Sequence, residues 1–356
     1  MNPLESQLNY AFGDYLPPLG QVHEVAPGVK WLRMGLPFAL DHINLWLLED
    51  EQDGRGGWTI VDCGIASDAT RAAWEQIFEQ ALEGKPVLRV MVTHCHPDHV
   101  GLADWLCARW NAPLWMTTGE YGFARMMSAA LPGVDGTASL PHFQRHGMVD
   151  ADMLEQLRSR KSYYSTLVPA VPACYRRMQD GQRIRVGRHA WQVITGFGHA
   201  PEHAALYCDD LRLLISGDMV LPRISTNVSV FAVEPEANPV QLYLDSLQKF
   251  VPLPADTLVL PSHGKPFRGL QVRIVQLTEH HRERLAEVVA ACSEPQSATD
   301  IVPVMFRRKL DAHQLTFALG EALAHLHKLW FDGVLDRSVG EDGIIRFRTR
   351  PLSSPA

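Results

Sequence analysis

The alternation of apolar and polar positions divides the chain into segments with distinct periods. Residues 29–37, 43–49 and 58–62 are short runs rich in β-branched and aromatic side chains, and each reads as a strand. A polar, turn-rich stretch over 50–57 joins the last two, as in a meander. Over 67–82 the period changes: Ala73, Ile77, Ala81 and Leu82 share one side, and Gly84 and Pro86 close the segment, which predicts a helix. Residues 88–93 are almost continuously apolar, as suits a strand buried on both faces. Residues 99–110 then read as a helix and 113–116 as a strand.

From about Gly119 to Gln182 strand signals vanish, and 120–130 and 152–167 carry helical spacing with Pro and Gly between them. This stretch predicts a helical insertion. Strands return at 183–195, 204–208 and 211–216, followed by a helix at 239–250 and a strand at 257–260. Beyond about Leu270 the pattern turns helical, over 270–292, 298–308 and 314–331. A hairpin-like stretch over 334–350 follows, with Gly340 and Gly343 near its turn. Two half-sheets with helices outside each predict an α/β fold, an αββα sandwich. Three helices and a hairpin describe a winged-helix module. The expected division is an α/β domain over 1–270, with 119–182 as its helical insertion, and a winged-helix domain over 271–356.

Composition narrows the class. The chain has 356 residues, 46% of them apolar and 21% charged, enough for a large core and incompatible with wholesale disorder or a coiled-coil rod. No apolar run approaches the ~20 residues of a membrane span. Six cysteines show no C-x-x-C pairing, and the N-terminus has no Lys or Arg before Lys30 and no apolar signal core. These features predict a soluble, cytoplasmic protein with reduced thiols. The net charge of −7 argues against a dedicated nucleic-acid binder. Residues 271–356 carry eleven basic and eleven acidic groups, so the acidic excess belongs to 1–270.

The candidate chemistry lies in histidine, of which there are sixteen. His94-Cys95-His96-Pro97-Asp98-His99 stands where a buried strand gives way to a helix. In an extended segment His94 and His96 share a face, while Asp98 and His99 leave the turn toward a second position. Imidazole and carboxylate are ligands for zinc and similar ions. Three later sites each put a donor at a strand end: Gly198-His199 with His203 beyond it, Ser216-Gly217-Asp218, and Ser262-His263-Gly264. Cys95 alternates away from the ligand face and reads as structural. His42, His142 and His146 read as solvated surface histidines.

On these motifs the chain resembles the metallo-β-lactamase fold superfamily of metal-dependent hydrolases, over roughly residues 29–265. The resemblance implies that His94, His96 and His199 hold one metal, that Asp98, His99 and His263 hold another, and that Asp218 bridges them. It implies that Asp62 orients a ligand histidine and that His203 stands behind the ligands. The cofactors expected are two divalent ions, zinc first, with iron or manganese also accepted by an N/O donor set. His96 in the second ligand slot disfavours the di-iron oxygen-reducing branch, and Asp218 disfavours β-lactam hydrolysis as the main activity. The C-terminal helices, through 281–285 and 324–326, are similar to the winged-helix extension of the lactamase-beta-2-like group, in which some members are ribonucleases.

The expected function is hydrolysis of an ester, thioester or lactone carbonyl by a metal-bridging hydroxide, with Asp98 and Asp218 as the catalytic carboxylates. The insertion, rich in aromatic residues and Met (Tyr121, Phe123, Met126, Met127, Phe143, Met153, Tyr163, Tyr164, Tyr175), suits a lid over a small- to medium-sized organic substrate. A ribonuclease or phosphodiesterase with the same metals is the alternative. Arg307, Arg308, Lys309, Arg346, Arg348 and Arg350 are its candidate phosphate contacts, although a solvated face explains them better. A non-catalytic winged-helix ligand sensor is a third reading, and the complete ligand set speaks against it. The C-terminal domain is expected to serve as scaffold or homodimer contact.

Overall fold

The structure, a computed structural model, describes residues 2–134, 136–159, 163–307, 310 and 312–351. Among them, two seven-stranded sheets pack as a sandwich. One runs in the spatial order β2 (His23–Ala26), β3 (Val29–Gly35), β4 (His42–Gln52), β5 (Arg55–Val61), β6 (Val87–Met91), β7 (Leu114–Met116) and β8 (Arg176–Arg177). The other runs β1 (Asn9–Tyr10), β14 (Phe267–Arg268), β13 (Leu258–Pro261), β12 (Leu213–Gly217), β11 (His203–Cys208), β10 (His189–Gly196) and β9 (Arg183–Val186). Most neighbours are antiparallel, but β5 to β8 run parallel in the first sheet and β12 with β13 in the second.

The period of two explains the two cores. Trp31, Trp46, Leu48, Val61 and Met91 face the opposite sheet and meet Trp191, Val193, Leu206, Ile215 and Leu260. Their chain neighbours Leu45, Leu47, Ile60, Val90 and Val92 point the other way, onto Trp74 and Ile77 of helix Asp68–Gln80 and Leu106 of helix Ala103–Trp110. Strands covered on both faces read as continuous apolar runs, which is the pattern of 88–93. Helix Asp68–Gln80 starts where Ser67 accepts the Thr70 backbone N–H.

Several elements differ from the sequence expectation. The run 183–195 is a hairpin, β9 and β10, turning at Gly187. There φ is +56° and a Cβ would stand 2.6 Å from the Glu49 carbonyl oxygen, so only glycine fits. The segment 99–110 is two short helices, Pro97–Val100 and Ala103–Trp110. The stretch 119–182 holds helices Thr118–Ser128, Ser139–Arg145, Ala151–Ser159 and Tyr163–Leu167, and then β8 at the sheet edge.

The chain separates into two compact units, 1–130 with 164–226 and 246–274, and 131–163 with 227–245 and 275–356. In the second, helix Ala298–Met305 begins with a reciprocal Ser297/Asp300 capping box, and β15 (Leu335–Val339) pairs antiparallel with β16 (Ile345–Thr349). His281 and His325 are both buried, with Nδ1 and Nε2 3.1 Å apart. His142 and His146 are buried as well, not solvated: helix packing encloses them, and burial pushes their pKa values down to about 4 and about 3. Arg346, Arg348 and Arg350 each meet a carboxylate, of Asp342, Glu294 and Asp336. Arg308 and Lys309 lie outside the described residues.

One buried ion pair ties the sandwich together. Asp50, at the far end of β4, accepts from Arg89 Nε and Nη2 at 2.8 and 3.1 Å and from Thr59 Oγ1 at 2.8 Å. It also accepts the Gly187 backbone N–H of the opposite sheet at 2.8 Å. Burial opposes its ionisation, and Arg89 with these donors outweighs burial and lowers its pKa. Asp50→Ala should cost about 3–5 kcal/mol, because Arg89 is left buried without its counter-ion. Urea unfolding monitored by circular dichroism measures this, and a loss below about 1 kcal/mol, the worth of an exposed pair, would contradict the role.

Candidate metal centre

The centre is assembled from chain segments that leave neighbouring strands at one end of the sandwich. Val61 of β5 pairs in parallel with Met91 of β6, so Asp62 and the Thr93–His99 segment emerge side by side. Gly217 of β12 pairs in parallel with Pro261 of β13, which delivers Asp218 next to Ser262 and His263. The loop between β10 and β11 carries His199, closed where Gly196 pairs with His203. Gly217 is itself dictated by crowding: its φ is +53°, and a Cβ would lie 2.2 Å from His203 Nε2.

The seven predicted donors come together as two groups, His94, His96, His199 and Asp218 in one and Asp98, His99 and His263 in the other. In the first, His94 Nε2 lies 2.9 Å from His96 Nδ1 and 3.2 Å from His199 Nε2. In the second, Asp98 Oδ2 lies 3.7 Å from His99 Nε2 and 3.4 Å from His263 Nε2. Asp218 faces both. Its Oδ2 is 3.4 Å from His199 Nε2, and its Oδ1 is 3.6 Å from His99 Nε2 and 3.5 Å from His263 Nε2. Donors at 2.0–2.2 Å from one ion in tetrahedral arrangement stand roughly 3.3–3.6 Å apart, and the separations of 2.9–3.7 Å scatter around that range, close enough for an ion in each group after small adjustments. Two of the buried atoms that face inward, His99 Nε2 and Asp218 Oδ1, have no hydrogen-bond partner among the described residues. Such orphans are rare unless something else satisfies them.

Electrostatics agree. Burial pushes His94 and His96 well below the usual histidine range, helped by the neighbouring imidazoles, so both are neutral and able to coordinate. At His99 burial is opposed and outweighed by Asp62, Asp98 and Asp218, which lift its pKa to about 10. A site that draws a proton onto a fully buried imidazole is one that attracts positive charge, which a divalent ion would supply.

The surrounding residues fix the donors. Asp62 Oδ2 lies 2.8 Å from His99 Nδ1, and its two oxygens accept Thr93 N–H and O–H, each at 2.8 Å. It does so from a left-handed φ of +63°. His203 belongs to neither donor group; its Nε2 accepts the Asp218 backbone N–H at 3.1 Å. Several contributors carry no motif. Glu120, fully buried, accepts Cys95 N–H at 2.7 Å and Glu202 N–H at 2.6 Å, tying two donor loops together while burial raises its pKa. Its one sequence signal is a carboxylate on the apolar side of a helix, four residues before the buried Ala124. Asn44 donates to the carbonyls of Pro261 and Gly264 around His263, whose Nδ1 lies 2.8 Å from the His42 carbonyl oxygen. His42 is thus not a free surface histidine, since its Nε2 also accepts Gly264 N–H. Cys95 is buried with its thiol pKa pushed up by burial, and its carbonyl accepts from the Tyr164 hydroxyl. Tyr121, Phe123, Tyr164 and Tyr175 pack against the core outside the first sheet.

Glu120→Gln puts an amide where two N–H donors need acceptors, so one donor loses its partner. Metal affinity should fall about 10–100-fold with the fold retained, the usual cost of disturbing groups behind the ligands. Competitive chelator titration measures it, and an unchanged affinity would show that Glu120 does not position the site.

Comparison with known proteins agrees with this geometry. Residues 39–263 match the metallo-beta-lactamase superfamily, and residues 285–350 match the metallo-beta-lactamase-like C-terminal domain. A Bacillus subtilis (strain 168) protein described as a probable metallo-hydrolase is 23% identical over 89% of this chain and 97% of its own. The crystal structure of a beta-lactamase domain protein from Burkholderia ambifaria is 60% identical over 98% of this chain and all of its own, with a TM-score of 0.93. A metallo-beta-lactamase family protein from Thermus thermophilus is 28% identical over 92% of this chain and 100% of its own, with a TM-score of 0.75. Since the matched region contains every donor from His94 to His263, the chain belongs to the metallo-beta-lactamase superfamily of metal-dependent hydrolases.

Proposed function

We propose that the protein hydrolyses an ester, thioester or lactone at a dinuclear centre, with zinc as the first candidate metal and iron or manganese as alternatives. The observation that carries the dinuclear reading is Asp218, whose two oxygens face different donor groups. Two divalent ions held by these donors would supply Lewis acidity for the carbonyl oxygen and would lower the pKa of water toward neutrality.

The chain's own residues determine the rest. Asp218 and Asp98 are the carboxylates that hold the two positions and balance their charge. Asp62, His203 and the His42 carbonyl hold His99, Asp218 and His263 in orientation. Tyr164 is pinned by its hydroxyl to the Cys95 carbonyl, which brings an aromatic ring to the donor segment. Among the described residues the ion-pair partners of Asp98 and Asp218 are all histidines. With no lysine or arginine pairing at the centre, a neutral carbonyl compound is better matched than a phosphodiester. Helices Leu270–Ala291, Ala298–Met305 and Ala312–Phe331 with the β15–β16 hairpin follow the element order of a winged helix. We assign that module a scaffold or dimer-contact role. Six free cysteines support a reducing, cytoplasmic setting, and no described helix is long and apolar enough to cross a membrane.

A panel of thioesters, lactones, carboxylic esters, phosphodiesters and RNA tests the substrate class, with turnover expected on a carbonyl member. Chelation should abolish it and zinc restore it. Asp218→Ala and His263→Ala should each lower kcat at least ~10²-fold, since a bound ion is worth several kcal/mol to the transition state. Full turnover in both variants would exclude the two-metal reading, and preference for RNA would exclude the carbonyl one.

A further inference from the structure

Remote from the metal centre, a cleft of about 420 Å³ opens where the edge strands β8 and β9 of the two sheets lie close, lined among others by Arg89, Trp115, Arg176, Arg183 and Arg185. We infer that this cleft is a second binding site, for a phosphate-bearing small molecule of the pyrophosphate or nucleoside-diphosphate type. Arg89 stands near the start of β6 and His94 beyond its end, roughly 16 Å along an extended chain at ~3.3 Å per residue. The cleft is therefore distinct from the metal centre.

Charge is the first argument. Within an acidic unit, residues 174–188 hold Arg176, Arg177, Arg183, Arg185 and Arg188 against one acid, Asp180. That acid is committed to Lys249 at 3.1 Å, as Asp50 is to Arg89 at 2.8 Å and Asp209 to Arg212 at 2.9 Å. Asp53 is the carboxylate left among the lining residues, so the guanidinium groups exceed it. Geometry is the second. Arg183 and Arg185 are the exposed positions of a strand whose alternate residues, Ile184 and Val186, are buried, so period two aims both outward together. Arg89 is held by its buried bond to Asp50, and the guanidinium carbons of Arg89 and Arg176 lie 5.4 and 5.5 Å from the Trp115 ring centre.

Several forked guanidinium groups around one cleft match the oxygens of a phosphate or diphosphate, which they bind by charge-assisted and often bidentate bonds. The volume suits a small ligand, within the ~300–1,000 Å³ range of small-molecule sites. A long nucleic acid would meet the acidic surface of the same unit beyond the cleft.

The test is calorimetric titration of the full-length, metal-loaded protein with inorganic phosphate, pyrophosphate, ADP and a short single-stranded RNA. Arg183→Glu, Arg176→Ala and Asp218→Ala are titrated alongside, with circular dichroism and metal content confirming that the arginine variants stay folded and loaded. Pyrophosphate and ADP should bind more tightly than phosphate. Arg183→Glu and Arg176→Ala should each weaken them about tenfold or more, the worth of one charge-assisted bond, while Asp218→Ala leaves them unchanged. Hydrolase turnover should persist in both arginine variants. The inference is overturned if pyrophosphate and ADP fail to bind at millimolar concentration. It is also overturned if Asp218→Ala and not the arginine variants abolishes binding, which would put the anion on the metals. RNA binding that needs the arginines without any pyrophosphate binding would replace the small ligand by nucleic acid and overturn it too.

Discussion

A carboxylate removed from water must be compensated, and in this protein that requirement is concentrated on Asp218. Its side chain is enclosed among imidazoles, with one oxygen toward His199 and the other toward His99 and His263. Asp98 joins the same histidines, and Asp62 stands behind His99. Neutral imidazoles cannot balance that much buried negative charge, and protonating them would remove their capacity to coordinate. Divalent cations resolve both demands at once, which is why donor separations, orphaned atoms and raised His99 pKa all point the same way.

The sandwich makes this possible through two parallel strand pairs. Parallel neighbours end on the same side, so β5 with β6 and β12 with β13 deliver Asp62, the His94–His99 segment, Asp218 and His263 to one end without long connections. The sheets must then keep their relative position to a fraction of an ångström. Asn44 does this near the centre, reaching from β4 to the carbonyls on either side of His263, and Asp50 does it at the other end of the same strand. Both are buried polar residues, and both are satisfied across the sheet interface.

How much of this can be read in the chain follows from the range of each signal. The strand and helix order is legible because buried strands and amphipathic helices leave local periods, and the donors because His94, His96, Asp98 and His99 are compressed into one turn. Short strands such as β1, β8 and β14 are not legible, since two residues carry no period. The hairpin at Gly187 is hidden because residues 183–195 read as one strand-like run. Glu120, Asn44 and the His42 carbonyl act across 25 to more than 200 residues, and no local pattern records such partners. The burial of His142 and His146 escapes sequence reading for the same reason, because the enclosure of a short helix is decided by what packs on it. The basic edge around Arg176 and Arg183 becomes a site only when two strands of different sheets are placed together.

The account rests on Asp218 serving two ions, and anomalous diffraction from crystals of the metal-loaded protein tests that most directly. It predicts two anomalous peaks ~3.5–4 Å apart, as in two-metal hydrolytic sites, with one Asp218 oxygen on each. The ligands would divide as His94, His96 and His199 on one and Asp98, His99 and His263 on the other. A single peak in the fully loaded protein, or both Asp218 oxygens on one ion, would contradict it.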